Sequence, residues 1–338
     1  MAVEETKGKF KLEGVIEGIK GEYAFREGYT KNDDHYKSLS FFVNTSKTNK
    51  VRVELFGMVR QNVKAYSNKT KKTKDIPWNQ RHDDFKDYKV MGTSVDDGSG
   101  RKIMVEYDAI DYIRENFKDG DAISVSGRID FQEFESNGTM IYTTKFPFNN
   151  IKKLTGASAE IDLETDNVVG KSSFEQEIIV NEVEKDDESD KLIVNIFTAT
   201  YKGDVIPSTL HVDMEEFPKL ANNLARRLKL GDVLTVYGNI VNMAVTKPAS
   251  EAKEEILDDD DFDWGGDEEI QDEFEVIDSY VNELQIRSVK RGSYFSQRYN
   301  ESDLLTDGKD KFYGNVDDEF DDEFEDEFED DLDDLPFE

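Results

Sequence analysis

One stretch of this chain occurs twice, and that repeat limits the possible folds more than any other feature. Phe117-Lys118-Asp119-Gly120-Asp121-Ala122-Ile123-Ser124-Val125-Ser126-Gly127-Arg128-Ile129 reads in register against Leu228-Lys229-Leu230-Gly231-Asp232-Val233-Leu234-Thr235-Val236-Tyr237-Gly238-Asn239-Ile240. Lys, Gly, Asp, Val, Gly and Ile recur at matching places. In each copy a glycine turn leaves a helix, and an alternating strand then reaches a second glycine where it must bend. The surroundings repeat as well. Period-two alternation of Val, Ile, Phe and Thr predicts strands at Phe10–Ile19, Leu39–Asn44, Val51–Phe56, Ala122–Phe134 and Thr139–Phe148. Ile110, Ile113 and Phe117 lie at helical spacing in Tyr107–Phe117, ahead of Gly120. Downstream, Phe174–Val183, Lys191–Ala199 and Ile206–Val212 read as strands, Phe217–Leu228 as a helix, and Phe274–Val289 as a closing strand.

Three strands, a helix, then two strands is the order of an OB barrel. The expected fold is therefore all-β with minor helix: two tandem OB-fold barrels followed by a disordered acidic tail. The first barrel is assigned to residues 1–156, with a basic and aromatic insertion at about 58–106, and a linker to 157–171. The second is assigned to 172–292, with an acidic insertion at about 248–273, followed by a connector over 293–314 and the tail over 315–338.

Charge divides along the same lines. Met1–Gly156 holds 27 Lys and Arg against 24 Asp and Glu, whereas Ala157–Glu338 holds 16 against 52. This asymmetry suggests a nucleic-acid-binding body with an acidic appendage. Ser250–Glu275 has one basic residue, and Asn315–Glu338 has 15 acidic residues and no basic one, so neither can bury a core. With no cysteine, disulfides and thiolate metal sites are excluded. Met1–Lys11 is charged and does not read as a secretory signal. No stretch approaches the roughly 20 apolar residues that span a bilayer. A soluble, cytoplasmic protein with no membrane partner is expected.

Single-stranded nucleic acid asks a protein for cations along its backbone and flat faces for its bases. The segment Glu22–Lys37, read as a loop, interleaves Tyr23, Phe25, Arg26, Tyr29, Lys31 and Tyr36 among polar residues. Arg52 lies on the third strand. Lys47–Lys89 carries 12 basic residues against 5 acidic, with Lys69, Lys71, Lys72 and Lys74 followed by Trp78, Arg81, Phe85 and Tyr88. These are the candidate contacts, together with Arg128, Phe134 and Tyr142 farther on. The second barrel offers less, with Tyr201, Lys202, Arg226, Arg227 and Lys229 in acidic surroundings.

Catalytic and metal chemistry find no support. Gly170-Lys171-Ser172 mimics the end of a phosphate-binding loop, but Thr165 stands where that loop needs glycine. Asp259, Asp261 and Asp263 mimic a calcium loop, but Trp264 and Ile270 occupy its turn and bidentate positions. His35, His82 and His211 are far apart in sequence. No cofactor, metal or small-molecule substrate is expected.

In several places the residues resemble the single-stranded DNA-binding protein family, in particular its bacteriophage branch. Leu55-Phe56-Gly57 is similar to that family's third strand, and Gly120-Asp121 through Gly127-Arg128-Ile129 to its fourth. Phe134, Asn137-Gly138 and Tyr142-Thr143-Thr144 follow its hairpin and fifth strand. The resemblance implies that Phe134 stacks on a base and that Arg128 leads into the same groove. It also implies that the tip Asp333-Asp334-Leu335-Pro336-Phe337 docks replication and recombination proteins, although Glu338 follows the phenylalanine. Phe320, Phe324, Phe328 and Leu332 recur every four residues, so they would share a face of a helix formed on binding. Such a tail suits partner docking, folding back on the chain's own groove, or solubility. A protein-interaction scaffold and a sequence-tolerant RNA binder remain as alternatives.

Overall fold

The computed structural model describes residues 3–85, 87–136, 138–186, 189–248 and 275–304. The strands of the first half are β1 (Gly8–Glu17), β2 (Phe25–Tyr29), β3 (His35–Asn44), β4 (Lys50–Met58), β5 (Asn62–Ser67), β6 (Lys72–Pro77), β7 (Lys89–Val90), β8 (Thr93–Asp96) and β9 (Arg101–Met104). The helix α1 (Glu106–Asn116) follows, then β10 (Ala122–Arg128), β11 (Asp130–Ser136), β12 (Thr139–Lys145) and β13 (Phe148–Lys153). The second half runs β14 (Ser172–Asp186), β15 (Lys191–Ala199), β16 (Val205–Asp213), α2 (Pro218–Arg227), β17 (Val233–Pro248), β18 (Glu275–Val289) and the single turn α3 (Glu301–Leu304).

In the first barrel β4 pairs with β3, β3 with β1, β1 with β10 and β10 with β13, all antiparallel. A parallel bridge from Glu54 to Pro147 closes the ring. The second barrel repeats this as β16-β15-β14-β17-β18, closed by the parallel bridge His211–Gln285. Alternation drives both. Leu39, Phe41 and Val43 on β3 and Val51, Val53 and Leu55 on β4 are buried, with their intervening residues turned outward. Ala109, Ile110, Ile113 and Phe117 project from α1 into the same core. Glu106 and Asp108 in the first turn and Arg114 in the last favour that helix through its dipole.

The repeated glycines have the same duty in both barrels. The strand register slips between Ser126 and Gly127 in one, and between Tyr237 and Gly238 in the other. A Cβ on Gly127 would lie 2.2 Å from the Pro147 carbonyl oxygen, and one on Gly238 would lie 2.0 Å from that of Gln285. Only glycine lets the closing strand pass so near. The turn before each strand matches too: the Lys118 amide donates to Asp121 Oδ2 and the Lys229 amide to Asp232 Oδ2, both at 2.9 Å.

The barrels are fused edge to edge. β1 pairs antiparallel with β14, from Gly8↔Gln176 to Leu12↔Ser172, making one continuous sheet. The β3–β4 turn fastens the other side. Asn49, fully buried, donates to Thr45 Oγ1 and the Ile240 carbonyl and accepts from the Asn242 amide. Thr48 donates to Asp166 in the inter-barrel segment.

Two expectations are corrected, and the insertion has a structure of its own. Glu22–Lys37 is not a loop: β2 and β3 form a hairpin through most of it. The fourth and fifth strands of the first barrel each break in two, at Ile129 and at Phe146-Pro147. Their outer halves, β11 and β12, pair as a separate hairpin. The stretch from Asn62 to Val90 is a three-stranded sheet ordered β6-β5-β7, while β8 pairs parallel with β13 and carries β9. The acidic insertion and the tail lie outside the described residues, apart from the ends of the ribbon β17–β18 that leads to the insertion.

Candidate nucleic-acid interface

Side chains that alternate outward from β2, β3 and β4 share one face. By register, Arg26 pairs with Ser38 and Ser38 with Phe56; Ser40 pairs with Glu54 and Phe42 with Arg52; Tyr36 pairs with Met58. Phe42 and Phe56 are 40% and 47% exposed, so both keep ring surface in water. Tyr36 stacks on Phe56 with centroids 5.5 Å apart and planes 25° from parallel. Arg52 is exposed, and its Nη2 donates to Ser40 Oγ at 2.9 Å, which aims the guanidinium along the strand. Ser38 and Ser40 are small, so they form a low floor between the aromatic ends. Phe42 and Tyr36 lie six residues apart on one strand, about 20 Å at the usual rise. The face holds one carboxylate, Glu54, which lies 3.7 Å from Lys145 on β12. β12 packs beside β4 at this border.

The structure gathers some of the anticipated residues here and sends others elsewhere. Arg26, Tyr36 and Arg52 belong to the face. Tyr23 and Tyr29 are 72% and 67% exposed, but Tyr29 pairs with His35, in the opposite phase from Tyr36. Its ring meets His35 edge-on at 5.0 Å, and His35 Nδ1 is hydrogen-bonded to the Tyr107 hydroxyl at 2.9 Å. Lys31 is exposed in the hairpin turn. Phe25 packs against the barrel core, and the Arg114 guanidinium lies 3.6 Å over its ring, so it presents no free face.

In the basic insertion the aromatics are partly buried. Trp78, Phe85 and Tyr88 pack on Val63, Ala65, Ile76 and Val105 as its own small core. Arg81 covers Trp78 at 4.2 Å and is held by both oxygens of Asp108. Lys74 sits over Phe85 and Tyr88 at 4.4 and 4.5 Å. Both cations therefore lie against rings of the insertion. Lys69, Lys71 and Lys72 stay exposed at the β5–β6 turn, with Lys69 3.7 Å from Asp87. Arg128 is exposed at the end of β10. Phe134 and Tyr142 are half exposed on the β11–β12 hairpin, but Phe134 pairs with Ile141, which puts Tyr142 on the other side of the ribbon. The tail residues Phe320, Phe324, Phe328, Asp333, Asp334, Leu335, Pro336 and Phe337 lie outside the described residues.

Phe42 adds to this face a ring that was not among the expected contacts. The signal was present in Ser-Leu-Ser-Phe-Phe-Val and Val-Arg-Val-Glu-Leu-Phe, where Phe42 and Phe56 each fall in the polar phase of an alternating strand. The second barrel lacks this face. Its register matches Phe42 with Asn195, Arg52 with Thr209 and Phe56 with Asp213.

The fold and this surface together define a two-barrel OB protein with one aromatic and cationic sheet face. The chain belongs to the YorF family, whose model matches residues 7–315. No curated protein matches it. Among solved structures it is similar to the single-stranded DNA binding protein from Thermus aquaticus. The wild-type form is 11% identical, covering 89% of this chain and 99% of that one with a TM-score of 0.40. A deletion variant is 14% identical, covering 70% and 88%, with a TM-score of 0.37. A Plasmodium falciparum SSB complex with ssDNA is 10% identical over 44% of this chain and 95% of that one, with a TM-score of 0.20. No described helix is long and apolar enough to cross a membrane.

Proposed function

We propose that this chain binds single-stranded DNA without sequence preference, on the outer face of β2, β3 and β4. The observation that carries this is the pair Phe42 and Phe56, held in water by strands whose other outward residues include Arg26 and Arg52. A buried core would take these rings if packing were their purpose. The same strands of other OB barrels are where oligonucleotides lie. Rings accept any base, and guanidinium groups accept any phosphate, so the surface selects for unpaired strands more than for sequence. The half-exposed Phe134 and Tyr142, on the hairpin beside β4, extend the contact, and the exposed Lys69, Lys71 and Lys72 of the insertion add cations for a longer strand.

The protein coats and protects the strand during replication and recombination, as in the phage branch of the family it resembles, and performs no chemistry. The domain limits proposed above serve this role: a DNA-holding barrel over residues 1–156, a bracing barrel over 172–292, and a tail from 315 that recruits partner proteins.

The test is a titration of labelled oligo-dT, oligo-rU and duplex at two salt concentrations. Tight oligo-dT binding that weakens steeply with salt, beside weak duplex binding, supports the reading. Equal binding of rU moves the substrate to RNA. Failure to bind any of the three makes the chain a protein scaffold and ends the proposal.

A further inference from the structure

Within the acidic half of the chain, one acid-free stretch combines several basic residues with several aromatics. From Leu284 to Asn300 there is no acidic residue; there are four basic ones, Arg287, Lys290, Arg291 and Arg298, and three aromatics, Tyr294, Phe295 and Tyr299. In the fold this stretch leaves β18 and straps across the second barrel. Its backbone is pinned: Phe295 and Val233 exchange both amide hydrogen bonds, and the Tyr299 amide donates to the Gly231 carbonyl. Asp232, fully buried, accepts from the Tyr294 hydroxyl, the Ser296 hydroxyl and the Gln297 amide. Tyr299 is sealed inside with Leu304 and Val3.

Tyr294 and Phe295 are treated differently, at 47% and 52% exposed. Asp232 and Val233 hold the chain so that the Phe295 ring stays in water, with the Arg298 guanidinium 5.6 Å from its centroid. Arg291 is exposed and has no carboxylate partner among the described residues. Lys290 reaches Glu175 Oε1 at 2.9 Å, and Lys9 reaches Glu175 Oε2 at 3.0 Å. Glu175 is thus neutralised from both sides, and a row of side chains, Ser288–Tyr237–Glu175–Lys9–Arg128, crosses the fused sheet in register. Four strand spacings make that row about 19 Å long. It ends at Arg128, where the first barrel's β11–β12 hairpin begins.

We propose that the strap Lys290–Arg298 is a second contact for single-stranded nucleic acid, with Phe295 and Tyr294 as stacking faces and Arg291 on a phosphate. It replaces, on the second barrel, the sheet face that Asn195, Thr209 and Asp213 have erased. The strand passes from the β3–β4 face, by the Arg128–Lys9 row, to the strap. This rests on the reading of the first barrel as a single-strand binder, but the two fail differently.

The experiment compares wild type with a Phe295→Ala, Arg291→Ala double variant on two oligo-dT lengths. One is about 8 nucleotides, within the span of a single OB fold, and the other about 30. The expected result is unchanged affinity for the short strand and about tenfold weaker binding of the long one. The salt slope on the long strand should fall by about 0.7, for one phosphate contact. Long-strand affinity within twofold of wild type overturns the strap. Loss of the short-strand binding in wild type overturns the first-barrel reading, and the strap with it. Photo-crosslinking of wild type to an iodouracil-substituted long strand keeps the test independent of how the variant folds. Adducts at Tyr294 or Phe295 support the strap, and adducts confined to the first barrel overturn it.

Discussion

Phe10 on β1 stands directly opposite Phe174 on β14, and each of these residues is also the register partner of its own barrel's bend glycine, Gly127 or Gly238. Equivalent positions of the two barrels therefore meet at the point where the sheets fuse, which relates them by an approximate twofold axis. The long hairpins obey the same symmetry: β17 of the second barrel bridges Asn49 beside β4, and β11 of the first packs beside β16. The repeat thus sets the architecture, and the two barrels differ on their outer faces. The first carries rings and guanidinium groups where the second has Asn195, Thr209 and Asp213.

Gly127→Ala and Gly238→Ala should each destabilise the fold by about 3 kcal/mol, because the new methyl would collide with a carbonyl of the closing strand that cannot yield without opening the barrel. Urea unfolding of the two variants checks this. A loss under about 1 kcal/mol at either site would mean that the strands part there at little cost.

Asn49→Ala should cost about 2–3 kcal/mol. The change strands the Asn242 amide and takes one of two donors from the Ile240 carbonyl, which keeps Ser172 Oγ, and a polar group left unpaired at a junction is expensive. Because the junction couples the barrels, the variant should also unfold in a broader transition by circular dichroism. Oligo-dT affinity should change little, since Asn49 is buried away from the proposed face.

Much of this was legible in the chain itself. Alternation located the barrel strands to within a few residues, and Gly120/Gly231 with Gly127/Gly238 disclosed the repeat, because a close backbone approach admits no other residue. Two things were hidden. Ile129 and Phe146-Pro147 are apolar, so the pattern continues through the places where the strands leave the barrel. In β5, Val63 and Ala65 alternate with Lys64 and Tyr66, and so small a buried stripe beside so many lysines reads as loop. The aromatics after it then look available for bases, when burial against that stripe is what occupies them. Phe42 was overlooked for the reverse reason, standing beside buried Phe41 in an apolar run.

His211 lies at the parallel bridge that closes the second barrel, facing Lys191 and Glu283. Burial, aided by Lys191 and opposed by Glu283, holds its pKa below the ordinary 6.5, so the fold favours the neutral ring. The unfolded chain then binds the proton more readily, and stability is full above pH 6.5 and declines as pH falls from there. Thermal unfolding followed between about pH 7.5 and 5 should show that decline in wild type, and His211→Gln should flatten it. An equal slope in both would place the effect on other groups.

Binding and packing should separate cleanly between two sets of aromatics. Phe42→Ala and Phe56→Ala remove rings that are 40% and 47% exposed, so each should cost no more than about 1 kcal/mol of stability, less than a core ring. Each removed stack should nevertheless cost about 1–3 kcal/mol of oligo-dT affinity. Trp78→Ala should do the opposite. It removes the indole that covers the small core of the insertion, where Arg81 and Tyr107 pack on it, and should cost about 2 kcal/mol locally. Hydrogen exchange would show that loss in β5, β6 and β7 while β1, β3 and β4 stay protected, and oligo-dT affinity would fall less than for Phe56→Ala. If Trp78→Ala instead weakened binding most while leaving exchange in the insertion unchanged, the indole would be a base contact and the assignment of the face to β2, β3 and β4 would have to be given up.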